Sequence, residues 1–312
     1  MTNKRTIRVF YRAPTHVPLW KVMEEGGFLA KHGLEMKFGS LEDKRARATA
    51  GLLAGELDVV SGNHHNLYAR RALNAEPFVH VAQVHNRWNQ RWLVAAPGIS
   101  TVADLKGKRV CINKLDQHPG LNVWLYLTRN GLTVGKDVEL IEGDRRSLDR
   151  VQRVMAGHFD ATFVGVVDQL RARALGARVT ELPTMPMIEG VTLTTTTQFV
   201  NNHPEKVSAL LHALVDAIHF FKTEPRGTQA IIDKTCRDLL KFGSDEEIAL
   251  FHGEHAAAYQ PKPYPTAQAI QNVFALGVKG TPEIADFNPL VMWDLHHLRA
   301  IDDSGYIDRL YQ

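Results

Sequence analysis

Leu53-Ala54-Gly55-Glu56-Leu57-Asp58-Val59 and Met155-Ala156-Gly157-His158-Phe159-Asp160-Ala161 carry one pattern twice, about a hundred residues apart. Each copy reads as an apolar helix end, Ala-Gly, a variable residue, an apolar residue, Asp and then a buried strand. The helix stops at Gly55 or Gly157, the residue type that enters the left-handed conformation without a Cβ penalty, and a short apolar strand follows at once. Each strand ends in a small-residue loop, Ser61-Gly62-Asn63 or Gly165-Val166-Val167. In open α/β sheets such loops lie at the carboxyl ends of strands, where ligands bind, so the repetition predicts two lobes facing one cleft.

The 312 residues suit two lobes of ordinary size. With 44% hydrophobic and 23% charged residues, the chain has a globular composition, neither disordered nor fibrous. Its 37 basic and 34 acidic residues are spread along the sequence and leave a net charge of +3, which is no nucleic-acid footprint. Two cysteines, Cys111 and Cys236, indicate no disulfide framework. Met1-Thr2-Asn3-Lys4-Arg5 begins like an export signal, but Ile7-Arg8-Val9-Phe10-Tyr11-Arg12 then alternates like a strand. No membrane-length apolar run occurs. The expected location is the cytoplasm, or the periplasm if a leader is missing.

Strand signals at 6–11, 34–38, 57–61, 78–84, 91–96 and 108–112 alternate with helical stretches near 17–31, 43–55 and 64–74. Pro97-Gly98-Ile99-Ser100 breaks this alternation and marks the first crossover. The second lobe runs through helices 119–131, 147–156 and 167–175 and strands near 137–141, 160–164 and 178–182. The chain returns through Met187-Ile188-Glu189-Gly190 into the Thr-rich strand 191–199, and helices with Pro-rich breaks follow. The expected divisions are 1–98 and 99–190 for the two lobes, with 191–312 as the return to lobe one plus C-terminal helices.

Several stretches together resemble the type II periplasmic-binding-protein fold. They are Pro18-Leu19-Trp20, Gly27-Phe28-Leu29-Ala30-Lys31-His32-Gly33-Leu34-Glu35, the Ala54–Asp58 junction and Asp104-Leu105-Lys106-Gly107-Lys108-Arg109-Val110. The nearest resemblance is to the sulfonate-binding and thiamine-pyrimidine-synthesis branch, over roughly residues 6–225. It implies an α/β, two-lobed flytrap, each lobe a mixed open sheet flanked by helices, with a C-terminal helical extension. The fold hosts transport receptors and a few enzymes, so it does not fix the ligand. The pyrimidine synthases of the branch carry a cysteine-rich motif, which this chain lacks. The aryl-sulfinate desulfinases place a nucleophilic cysteine in the first loop, and here that loop reads Pro14-Thr15-His16-Val17-Pro18. Aromatic-acid decarboxylases of the wider fold stay open.

The loops expected at the cleft are polar. Loop one offers Arg12, Thr15 and His16; loop two offers Ser61, Asn63, His64 and His65; loop three offers His85, Arg87, Trp88, Asn89 and Gln90. In lobe two, Gln117 and His118 precede Pro119, a favourable first helical residue. The first turn of that helix has unpaired N–H groups and the positive end of the macrodipole, so a carboxylate or sulfonate is expected there, with Arg87 or Arg12 as charge partner. His64, His65, His118 and Glu189 are the acid–base candidates, because imidazoles titrate near neutrality and a carboxylate can share the proton or fix a tautomer.

Trp20, Trp88, Trp92 and Tyr11 gather near the first-lobe loops. Trp20 and Trp92 read as core, and Trp88 as the ring that touches an aromatic ligand. His252-Gly253-Glu254-His255 and Leu295-His296-His297-Leu298 read as surface or interface histidines away from the cleft. No cofactor is expected; a divalent metal on two or three cleft histidines and Glu189 is left open.

The leading functional expectation is a cytoplasmic lyase of decarboxylase type acting on a small anionic aromatic carboxylate. The alternative is a substrate-binding protein of an ABC importer, which binds without turnover. The expected partner is the small ligand, with no nucleic acid and no membrane insertion. A homodimer stays open, as does an ABC permease under the alternative.

Overall fold

The computed structural model describes residues 5–38, 45–62 and 65–312, so Asn63 and His64 lie outside the described residues. Lobe one opens with β1 (Arg5–Tyr11), α1 (Val17–Glu25), α2 (Phe28–Lys31), β2 (Leu34–Phe38), α3 (Arg45–Leu53), β3 (Val59–Ser61), α4 (His65–Asn74) and β4 (Phe78–Arg87). Lobe two contains β5 (Trp92–Ala95), β6 (Arg109–Ile112), α5 (His118–Arg129), β7 (Glu139–Glu142), α6 (Ser147–Met155), β8 (Ala161–Val164), α7 (Val166–Ala174) and β9 (Val179–Glu181). The chain returns as β10 (Pro186–Thr196). It ends in α8 (Thr197–Asn202), α9 (Pro204–Thr223), α10 (Pro225–Leu240), α11 (Asp245–Ala258), α12 (Ala267–Gly280), α13 (His296–Asp303) and α14 (Tyr306–Leu310).

The two sheets are built alike. Their strand orders are β2-β1-β3-β10-β4 and β7-β6-β8-β5-β9. In each, the first three strands run parallel and the fourth is antiparallel to its neighbours. The sequence repeat supplies the matching joints. Gly55 and Gly157 take φ of 68° and 76°, which ends α3 and α6 in the left-handed conformation.

The aspartate of each copy then stitches the central strand, β3 or β8, to its parallel neighbour, β1 or β6. Asp58 accepts from the Arg8 backbone N–H at 2.8 Å and donates its own N–H to the Arg8 carbonyl at 2.9 Å. Asp160 does the same with Arg109, at 2.7 and 2.9 Å. Asp58 is also 98% buried, and the Arg8 guanidinium supplies the cation that such a carboxylate needs.

Two points differ from the sequence expectation. β5 pairs with β8 and β9, so the chain changes sheets between Arg87 and Trp92, ahead of the Pro97–Ser100 break. The second crossover likewise ends sooner: residues 187–190 belong to β10, whose pairing with β4 carries three register shifts. Those irregularities hide the strand from a period-two pattern.

A large core joins sheet one to α1, α9 and α10, with Trp20, Leu19 and Phe221 fully buried. No helix among the described residues is long and apolar enough to cross a membrane. Cys111 and Cys236 are free and buried.

Candidate functional site

Strand ends and helix starts from both lobes converge on a cleft of about 800 Å³. From lobe one come Arg12 at the end of β1, Thr15 and His16 from the turn that follows it, and His65 and Asn66 from the start of α4. His85 and Asn89 flank the exit of β4, and Glu189 faces them from β10. From lobe two come Asn113, Asp116, Gln117 and His118 at the start of α5, and Gly165, Val166 and Val167 at the start of α7.

Two of these helix starts are left open by the sequence. The N-cap positions of α5 and α7, Gln117 and Gly165, have extended backbone and make no side-chain cap hydrogen bond. Both helix starts line the cleft, so the positive macrodipole ends lie at it without a side-chain cap. The close seating of α5 depends on Gly120, where a Cβ would lie 1.9 Å from the Lys114 carbonyl oxygen.

The histidines are neutral. Burial is the main cause in every case: it lowers His16, His65 and His255 to about 4 and His85 to about 3, and carries His118 well below its ordinary value. Their bonds suit neutral rings. His16 Nδ1 lies 3.0 Å from the Ser61 carbonyl, and His255 Nδ1 lies 2.8 Å from the Phe251 carbonyl, each as donor. His65 and His118 approach from opposite lobes, with Nδ1 atoms 3.4 Å apart and ring centres 5.6 Å apart. Protonating both would place two cations in contact, and Arg12 nearby already disfavours charge on His16 and His65.

Glu189 behaves in the opposite sense. Burial raises its carboxyl to about 7, and a hydrogen bond from the Asn89 backbone N–H at 2.9 Å only partly offsets this. Two further acids of the lining are engaged with bases, Glu254 with Arg87 and Arg91 and Asp168 with Arg171, and Asp116 lies at the start of α5. Among the described residues, no group of three or more His, Cys, Asp and Glu side chains is arranged to hold a metal ion.

Arg12, Thr15, His16, His65, His85, Gln117, His118 and Glu189 thus share one cleft, as the sequence expected. Trp88 and Arg87 do not line it. Trp88 is fully buried, its ring centre 4.7 Å from Tyr126 and 5.4 Å from Phe163, because the chain is already leaving sheet one and a large apolar ring gains most inside the lobe-two core. Arg87 is no ligand anchor: its guanidinium bonds Glu254 on α11 at 2.7 Å. His252 and His255 are buried, not surface, side chains, and His255 lines the cleft. Sequence reasoning missed this wall, formed by Phe251, Glu254 and His255 of α11 and by Tyr259 just beyond it. Their spacing of three, four and eight residues, one helix face, was the available signal.

The fold is shared with known proteins. The periplasmic sulfonate-binding protein SsuA from Methylobacillus flagellatus KT superposes with a TM-score of 0.74 at 14% identity, covering 99% of this chain and 97% of that one. The periplasmic aliphatic sulphonate binding protein SsuA from Escherichia coli gives 0.68 at 17% identity over 90% and 92%. The periplasmic nitrate-binding protein NrtA from Synechocystis PCC 6803 gives 0.62 at 14% over 96% and 89%. At these identities the likeness concerns the fold alone. No curated protein matches the sequence. Residues 13–228, more than half of the chain, match the family model described as NMT1/THI5 like, and the protein therefore belongs to the NMT1/THI5-like family.

Proposed function

We propose that this protein captures a small organic anion between its lobes and presents it, unchanged, to an ABC importer. One observation carries the reading: Arg12 and the N-termini of α5 and α7, without side-chain caps, converge on a single cleft, while Glu254 and Asp168 are paired with arginines and burial raises the Glu189 carboxyl to about 7. Such a site offers positive potential and donors and little competing negative charge. The importer partner is supported by the family and by neighbours that are sulfonate- and nitrate-binding proteins.

A lyase remains a second reading on one observation. Glu189, with a carboxyl near 7, is a proton donor inside the cleft. The leading expectation from sequence finds no other support, since the neighbours described above are named as binding proteins.

Both readings meet one experiment, in which purified protein is melted with benzoate, benzenesulfonate and methanesulfonate and the ligand is recovered for mass spectrometry. A raised melting temperature with the ligand intact is expected. Arg12→Ala should weaken anion binding on the order of 100-fold, as loss of one partner of a desolvated charge pair does. Benzoate returned lighter by carbon dioxide would overturn the receptor reading, and unchanged affinity in Arg12→Ala would overturn the site.

A further inference from the structure

The lining of the cleft divides by origin. Up to Val191 it consists of polar side chains, helix-start backbone and small aliphatic groups, with no Phe, Tyr or Trp among them. The rings are Phe242, Phe251 and Tyr259, all beyond residue 228, where the family match ends. They form one preassembled wall. Phe251 stacks on His255 at 3.9 Å and meets Phe242 edge-on at 5.4 Å, and Tyr259 meets His255 edge-on at 5.8 Å. His85, across the cleft lining, stacks on Tyr259 at 6.1 Å.

A bare inorganic anion has no use for such a wall or for a space of about 800 Å³, which falls in the range that holds whole organic ligands. Held at Arg12 and the start of α5, an anionic head leaves the remainder of its molecule facing apolar carbon.

We infer that the ligand carries an aromatic ring beside its anionic group, as an aryl carboxylate or aryl sulfonate, and that Phe242, Phe251 and Tyr259 select for that ring. The inference rests on the anion-binding reading above and adds the substrate class. The family-matched part of the chain holds the charge, and the C-terminal part chooses what is attached to it. Aromatic selection moves from Trp88, which is core, to α11 and its flanks.

Titration calorimetry with benzenesulfonate, benzoate, methanesulfonate and sulfate tests it. The wild-type protein should prefer benzenesulfonate over methanesulfonate by on the order of 30-fold, the return on burying one ring. Phe251→Leu and Phe242→Leu keep apolar volume but remove the ring. Each should cut that preference about five-fold, weakening benzenesulfonate more than methanesulfonate. Melting temperatures taken alongside identify a variant that fails to fold, and Phe242→Leu then stands in for Phe251→Leu. Equal affinity for the two sulfonates, or variants that weaken both alike, would overturn the aromatic inference and leave the anion site standing. Failure of all four anions to bind would overturn both.

Discussion

Acidifying the unliganded protein from pH 7 to pH 4 should lower its unfolding free energy by on the order of 10 kcal/mol. His16, His80, His85 and His255 are each no more than 9% exposed. Burial depresses them to about 4, 3, 3 and 4. An unfolded chain protonates its histidines near 6.5, so it binds more protons than the folded protein between 6.5 and 4. Stability is complete above 6.5 and is lost as pH falls through that window, by up to about 1.4 kcal/mol per pH unit for each group.

Glu189 works against them. Its folded value of about 7 lies above the unfolded one, so its contribution is full below about 4.5 and is lost as pH rises through 7. One such group offsets roughly one histidine. Asp216 acts elsewhere: burial raises it, but hydrogen bonds from His32, Lys31 and Tyr306 win and hold it at about 2, so its loss falls below pH 4. Urea melts at half-unit intervals would show the slope, and a flat profile from 6.5 to 4 would contradict neutral burial of these rings.

Gly120→Ala should cost more than about 3 kcal/mol and abolish anion binding in whatever protein still folds. The added Cβ meets a backbone carbonyl at 1.9 Å, and Ile112 Cδ1 is only 3.0 Å away, so relief requires α5 to lift off the end of β6. The N-terminus of α5 would then leave the cleft. Gly253→Ala is the control. That glycine sits exposed within α11 with nothing within 4 Å of an added Cβ, so alanine should stabilise by up to about 1 kcal/mol. Chemical denaturation of the pair reads opposite signs for the same atoms; equal effects would refute the steric account.

The fold was legible because the determinants were local. Gly55 and Gly157 had to end helices, and the two aspartates recur because each sheet needs the same stitch between its central strand and the parallel strand beside it. The polar half of the cleft followed, since strand ends place loops there. What escaped was tertiary. Whether Trp88 turned inward depended on where the chain left sheet one, and β10 concealed its start in irregular pairing. The α11 face of Phe251, His255 and Tyr259 has the spacing of any core-facing helix, and only its packing beside both lobes makes it a wall of the site.

That packing also bears on time. Arg171 of α7, in lobe two, donates to Glu247 of α11 at 2.7 and 2.6 Å and to the Lys241 carbonyl at 2.6 Å. Arg129 of α5 likewise reaches Asn272 of α12 at 3.1 Å, and Asn272 binds the Pro186 carbonyl at the crossover. Lobes joined only by two crossovers swing freely; these are also strapped to a shared helical layer. Opening must break the Arg171 fork or drag α11 along, so residence time depends on a contact outside the polar half of the cleft. Glu247→Gln should therefore hasten ligand dissociation in stopped-flow traces more than it slows association, and an unaltered dissociation rate would show that the strap moves with the door.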